Sequence, residues 1–336
     1  MTTYRRLGSA GIRVASMSLG TANFGASTPE ETAQEIIAAS VDAGINLIDT
    51  ADSYAGGESE RIVGRALKAL GLRQQVLLLT KFHFPTGPGL NQRGNSRLHM
   101  MQAVEESLSR LQTDYLDIYM IHRPDFEVPQ EETMRALDDL VRQGKIRYVG
   151  TSTYPAWMIM EAITICREWG FTPPVVEELP YSLVERRAEN EVIPLCRRHG
   201  VGVLAWSPLA GGTLAGAYPI GEALDVRLRQ EGRDVAYFRE RVTHAARRMA
   251  EEVDALAREA DFTSGQLALI WAKEQPGISS ILIGPRRMAH LKEALSVMQQ
   301  ELDPDLASAL DEISLPGTAV ADFYNNSGWM APILSE

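Results

Sequence analysis

The chain has 336 residues, 45% of them hydrophobic and 23% charged, which is the composition of a globular protein with a large core. A formal net charge of −11 argues against nucleic acid or an anionic membrane surface as a partner. The opening MTTYRRLGSAG lacks an apolar signal region, and no apolar run approaches the ~18 residues of a membrane span, so the expected location is the cytoplasm.

Two short strand-like pieces flank Gly8-Ser9-Ala10-Gly11 and read as a hairpin leading into a first buried strand that ends near Gly20. A helix near 29–43 follows Ser27-Thr28-Pro29, with Glu30 and Glu31 in its first turn. Apolar runs and helical periods then alternate. INLIDT is followed by a helix near 57–71, QVLLLT by one near 97–111, YLDIYMIH by one near 131–143, and IRYVGTS by one near 156–169. PVVEE precedes a helix near 189–199, VGVLAWS precedes a long connection over 208–240, and SSILIG at 279–284 precedes a helix near 287–298. A terminal helix near 303–313 and a tail over 314–336, irregular from 316, complete the chain. Eight strands each followed by helical material predict a (β/α)8 barrel. No composition break divides residues 1–336, so one barrel domain is expected. Cys166 and Cys196 fall in helix-like segments without metal-ligand spacing and read as small core residues, with no disulfide framework.

In such a barrel the C-terminal ends of the strands converge on one mouth. The polar residues at those ends are Asp49 with nearby Tyr54, then Lys81, His122, Ser152, Glu178 and Trp206. Successive members lie about one βα unit apart. Each has an ordinary reading alone: a turn carboxylate, a rim lysine, a hydrogen-bonded structural histidine, a loop aromatic. Four such residues at matching strand ends point instead to a site. A phenol titrates near ~10, too high for easy proton donation at neutral pH. An adjacent ammonium lowers that value, and a carboxylate holds the ammonium in place. His122 can orient the same carbonyl oxygen. The six histidines, among them His83, His99, His199, His244 and His290, form no i, i+4 pair, which speaks against a zinc or iron site.

These residues lie in longer stretches. NLIDTADSYAGGESERIVGRAL, DYLDIYMIHRPD, LGTANFG, GKIRYVGTSTY, VLAWSPLAGGTLAG and ILIGPRRMAHLKEAL together resemble the aldo-keto reductase superfamily over about residues 4–300. The branch that looks most similar is the bacterial general oxidoreductases that also resemble potassium-channel β subunits. The resemblance implies a barrel that binds NADPH/NADP+ without a Rossmann domain and reduces an aldehyde or ketone, a small-molecule carbonyl substrate, to an alcohol. It implies Tyr54 as general acid, Lys81 with Asp49 as the pair that lowers its pKa, and His122 as the group orienting the carbonyl. It places the cofactor against Gly20, Thr21, Ser152, Glu178, Trp206, Ser207, Leu209, Gly211, Arg286 and His290. Arg286 matches the 2′-phosphate contact that favours NADPH over NADH. Departures from the family pattern are Thr153 for Asn, Glu178 for Gln, His290 for Gln or Arg and Ala294 for Asn, and they imply weaker NADPH binding. A cofactor-sensing subunit with little steady turnover is the alternative, since channel β subunits keep the same four residues. A lyase or hydrolase on this barrel would call for a metal cluster or a Schiff-base lysine, and Asp49 beside Lys81 disfavours the second. Substrate choice is expected to reside in 83–95, 123–129, 208–240 and the tail, whose Phe323, Tyr324 and Trp329 could line a pocket or pack outside. Phe24 and Phe82 suggest an apolar or aromatic substrate.

Overall fold

The computed structural model describes residues 4–230 and 234–323. A hairpin of β1 (Tyr4–Arg6) and β2 (Arg13–Ala15) precedes eight parallel strands. These are β3 (Met17–Gly20), β4 (Leu47–Asp49), β5 (Leu77–Phe82), β6 (Leu116–Ile121), β7 (Ile146–Ser152), β8 (Pro174–Pro180), β9 (Gly202–Trp206) and β10 (Ser280–Ile283). β10 pairs with both β3 and β9, so the sheet closes into a barrel in chain order.

Helices α1 (Glu30–Asp42), α2 (Glu58–Leu70), α3 (Arg97–Leu111), α4 (Gln130–Arg142), α5 (Ala156–Trp169) and α6 (Val192–His199) each follow a strand as expected. The connection from β9 to β10 differs from the expectation. Short helices α7 (Leu224–Gln230) and α8 (Val235–Arg239) interrupt the stretch read as loop, and Tyr218, Leu228 and Val242 give it a small core of its own. Two long helices then appear where no element was assigned, α9 (His244–Glu259) and α10 (Ser264–Glu274). The buried face of α9 is mostly alanine, and α10 is buried along nearly its whole length. α10 is therefore apolar nearly all round and shows no one-sided stripe, whereas the stripe of α9 is built largely of small side chains. α11 (Met288–Ser296) and α12 (Pro304–Ile313) close the described chain. No helix among the described residues is long and apolar enough to cross a membrane.

Strand period dictates the layers. Leu78 and Phe82 of β5 belong to the large core between barrel and helices, whereas Leu79 belongs to the smaller core inside the barrel with Leu47, Ile118, Met120, Val176 and Leu204. Leu7 and Val14 of the hairpin reach into that inner core and form its floor. The turn lies too close for a side chain: a Cβ on Gly8 would stand 2.3 Å from the Gly200 carbonyl oxygen. Lys81 continues the inward column Leu77, Leu79 and so sits above the packed interior, at the mouth. Asp49, Ser152, Glu178 and Trp206 crown their own strands at the same end.

Phe82 and Phe24 do not face the mouth. Both are fully buried in the outer core, and Phe82 stacks on Tyr119 at 4.8 Å between ring centroids. The free thiols Cys166 and Cys196 are buried in the same layer. The tail from Ser314 runs back along 183–190: Arg186 N donates to Thr318 O at 2.8 Å and Val320 N to Val184 O at 3.0 Å. This places Phe323 against Trp206, with ring centroids 6.1 Å apart. Tyr324 and Trp329 lie outside the described residues.

Candidate active site

Lys81 is fully buried, and its ammonium has four oxygen neighbours. It donates to Asp49 Oδ1 in direct contact, to the Thr50 carbonyl at 3.1 Å and to the Tyr54 hydroxyl at 3.4 Å, with Glu178 Oε2 at 3.5 Å. The outer face of the same strand is fixed as firmly. Thr80 Oγ1 donates to Glu60 at 2.6 Å, and Arg110 Nε donates to the other Glu60 oxygen at 2.5 Å. Beside this pair Asp52 is buried with no side-chain hydrogen-bond partner among the described residues, and burial pushes its carboxyl up to about 8.

Charge around Lys81 is set by competition. Burial pulls the ammonium down, but Asp49 and Glu178, with Tyr54, outweigh it and hold it well above the ordinary lysine value. Burial pushes both carboxyls upward, Glu178 to about 8, because one ammonium cannot neutralise two carboxylates. Asp49 touches Nζ directly, so it keeps the negative charge, and Glu178 carries a proton at neutral pH. Lys81 does not bring the Tyr54 phenol below its ordinary value as the sequence suggested. Burial raises it, Asp49 and Glu178 raise it further, and Lys81 offsets only part. The phenol is therefore protonated at neutral pH. His122 follows β6, and its ring centroid lies 5.7 Å from that of Tyr54, edge to face. Burial together with Arg123 and Lys81 depresses its pKa well below the usual range, so the imidazole is neutral and one ring nitrogen carries hydrogen.

The expected cofactor positions form two groups. Thr21 donates from N and Oγ1 to the Asp49 carbonyl at 3.0 and 2.9 Å, and Gly20 pairs with Asp49 in the sheet. Ser152 pairs with Glu178, and Trp206 stands at the end of the next strand. Ser207 and Leu209 lead into a 3-10 turn over Ala210–Ala215. Gly211 there has φ 68°, and a Cβ on it would lie 2.7 Å from Phe238, so glycine is required. Arg286 and His290 stand apart from Lys81, at the start of α11, where Arg286 N donates to His290 Nδ1 at 3.4 Å. The Thr28 hydroxyl donates to Arg286 O at 3.3 Å, and Asn23 donates to Gly284 O at 3.1 Å. This second group is thereby tied to the loop that begins at Thr21. Its Ala294 is buried in the outer core.

A model of the aldo/keto reductase family matches residues 16–315. The chain belongs to that family. Membership makes this reductase an oxidoreductase acting on carbonyl compounds.

Several residues of the mouth were not singled out from the sequence. Phe84 meets His122 at 4.9 Å between centroids, Arg123 reaches Ser152 and Thr153, and Arg241 lies behind Phe323. Asn95 locks the first of these loops in place. It receives His83 Nδ1 at 2.9 Å, donates to the Arg123 carbonyl at 2.9 Å and draws its own N–H to Asp125 at 2.9 Å. His83 is thus a structural residue of the loop, outside the group around Lys81.

Thr153 stands in the left-handed region at φ 57°. A β-branched residue is strained there, whereas Asn adopts this conformation readily. Thr153→Asn should raise the unfolding free energy by about 1 kcal/mol, measured by urea denaturation. A destabilised variant would mean that the contact from Arg123 to Thr153 Oγ1, 3.1 Å long, outweighs the backbone strain.

Proposed function

We propose that the chain reduces an aldehyde or ketone to an alcohol with NADPH, and that Tyr54 delivers the proton. The observation that carries this reading is the fully buried Lys81 held between Asp49, Glu178 and the Tyr54 hydroxyl at the barrel mouth. A nucleophile-and-base arrangement is not what these residues form, since the phenol is protonated and the lysine is held charged. They suit a reaction in which negative charge develops on a carbonyl oxygen.

The site's unsatisfied atoms fit a dinucleotide. Glu178 Oε2 and Thr213 Oγ1 are buried polar atoms without a hydrogen-bond partner among the described residues, one beside Ser152 and the other in the turn after Leu209. Ser152, Glu178 and Trp206 would hold the nicotinamide, with Gly20 and Thr21 at its border. Ser207, Leu209 and Gly211 would hold the pyrophosphate, and Arg286 with His290 the adenosine end and its 2′-phosphate. When bound, the nicotinamide supplies the hydride. Tyr54 then gives its proton to the carbonyl oxygen, and Lys81 stabilises the phenolate left behind. Asp49 keeps Lys81 charged and fixed. Neutral His122 donates its ring N–H to the same oxygen and orients it. Steady NADPH oxidation across a panel of aldehydes and ketones tests the reading, and no turnover on any of them would overturn it.

Glu178 gives the reading a pH signature. A carboxylate cannot donate to a carboxamide oxygen, but a protonated carboxyl can. With its pKa pushed up to about 8, Glu178 is the donor that Gln supplies in relatives of this pattern, and the expected loss of NADPH affinity applies only above that pH. Its ionisation also adds negative charge beside Tyr54, which opposes phenolate formation. The value of kcat/KM should therefore fall above pH about 8, and Glu178→Gln should remove that limb. A limb that survives in Glu178→Gln belongs to another group.

A further inference from the structure

Two cations stand at the mouth without a carboxylate partner among the described residues. Arg123 follows His122 directly. Its Nη1 donates to the His122 carbonyl at 2.6 Å, to Thr153 Oγ1 at 3.1 Å and to Ser152 Oγ at 3.5 Å. Its guanidinium carbon lies 5.9 Å from the Phe84 ring centroid and 6.0 Å from that of Trp206. Arg241 is only 4% exposed. It donates from Nη1 to the Tyr237 carbonyl at 2.8 Å and lies 3.8 Å from the Tyr237 ring centroid and 5.7 Å from that of Phe323. Its Nε is buried with no acceptor among the described residues. Phe323 in turn packs on Trp206, so the two guanidiniums border one aromatic wall beside His122.

The rest of the molecule shows how this chain treats buried and partly buried arginines. Arg186 is matched by Glu189 and Asp311, Arg187 by Glu185 and Asp322, and Arg110 by Glu60 and Glu106. A buried cation without a counter-charge is costly. In a chain of net charge −11, acidic partners were not scarce. The charged and titratable groups that act on Arg123 include Tyr54, Tyr237, Glu178 and Glu177 on one side and His83, His122 and Arg241 on the other, and Arg241 repels it. Two like charges gathered with no carboxylate in ion-pair contact among the described residues leave a place for an anion that arrives from outside.

We propose that Arg123 and Arg241 form an oxyanion subsite for the substrate, so that the carbonyl compound reduced here also carries a carboxylate. The inference rests on the carbonyl-reducing reading above and goes further by naming the substrate class. Guanidinium groups suit the task because their planar forks pair with carboxylates through charge-assisted hydrogen bonds. Aromatic flanks exclude water and strengthen those bonds, and the adjacent His122 sets the carbonyl end of the same molecule.

The test compares para-carboxybenzaldehyde with its neutral isostere para-carbamoylbenzaldehyde, using NADPH and purified full-length protein. Wild type should favour the carboxylate by about tenfold or more in kcat/KM, the discrimination expected of a hydrogen-bonded charge pair. Arg241→Met and Arg123→Met should bring the ratio towards unity through KM, whereas Arg241→Lys should keep most of the preference. Nucleotide phosphates are the other oxyanion these arginines could serve. NADPH affinity, read by fluorescence titration, should therefore stay within about twofold in Arg241→Met, and a tenfold loss would overturn the assignment to substrate. Equal or better use of the neutral aldehyde by wild type overturns this inference alone, and needs no variant to fold. Reduction of neither aldehyde, nor of any neutral carbonyl in the wider panel, overturns the carbonyl-reducing reading and this inference with it.

Discussion

Tyr54→Phe is expected to lower kcat for carbonyl reduction by about 10²–10⁴-fold, the range over which a positioned general acid acts. The loss should fall on kcat and kcat/KM alike, because the proton is needed in the transition state and not in the ground state. NADPH affinity should stay near that of wild type, and the variant should fold, since among the described residues the phenol's one hydrogen bond is the long one from Lys81 at 3.4 Å. His122 is the other group able to reach the oxygen, and its state decides how far it can substitute. Its pKa lies well below the usual histidine range, so at neutral pH it has no labile second proton to give. It can polarise the carbonyl but is a poor acid. Turnover of Tyr54→Phe within about threefold of wild type would mean that water or His122 protonates the oxygen and that the assignment is wrong.

The barrel was legible because its strands announce themselves. INLIDT, QVLLLT and VGVLAWS are short apolar runs bounded by polar residues, and runs of that kind form parallel strands covered on both faces. The strand-end residues were legible for the same reason, since closure of the sheet brings them to one rim. Strand period carries more than the sequence reading drew from it. Lys81 and Leu79 share a parity, Phe82 has the other, and that alone excludes Phe82 from the mouth and sends it to the helix layer. Glu177 and Glu178 separate by the same rule. Glu177 turns outward to accept from Thr151 Oγ1 at 2.5 Å and Tyr154 N at 2.9 Å, and Glu178 turns inward to Lys81.

Arg123 and Arg241 were not legible, because their meaning lies in what they lack. A sequence shows that an arginine is present but not that its neighbours offer it no carboxylate. Arg241 is also brought to the mouth by the fold of the β9–β10 connection and by a tail that returns along 183–190, neither of which has a short-range signal. The sign of the Tyr54 shift was missed for a related reason. A neighbouring ammonium lowers a phenol's pKa only when its charge exceeds the combined effect of burial and nearby carboxylates, and the second carboxylate here was read from sequence as a cofactor contact.

That second carboxylate makes the Lys81 ion pair redundant in a way that a double-mutant cycle can expose. Breaking a buried pair by removing one partner ordinarily costs about 3–5 kcal/mol, because the other charge is left uncompensated. Asp49→Asn should cost less than this at pH 8 and above, since Glu178, 3.5 Å from Nζ, can ionise and take over the role. Glu178→Gln should cost little only below pH about 4.5, where both states hold the proton and an isosteric amide replaces a protonated carboxyl. At neutral pH it should stabilise, and more so at higher pH. The native state holds a proton on Glu178 that the unfolded chain has released between pH about 4.5 and about 8, so this group makes stability fall as pH rises through that window. The double variant Asp49→Asn with Glu178→Gln leaves Lys81 with no counter-charge and should be destabilised by the full ~3–5 kcal/mol. The sum of the single effects should fall short of that by about 1–3 kcal/mol, the size of coupling expected within one network. Urea unfolding of the four proteins at neutral and alkaline pH measures both terms. Strict additivity would show that Asp49 alone compensates Lys81 and that Glu178 is only a neighbour.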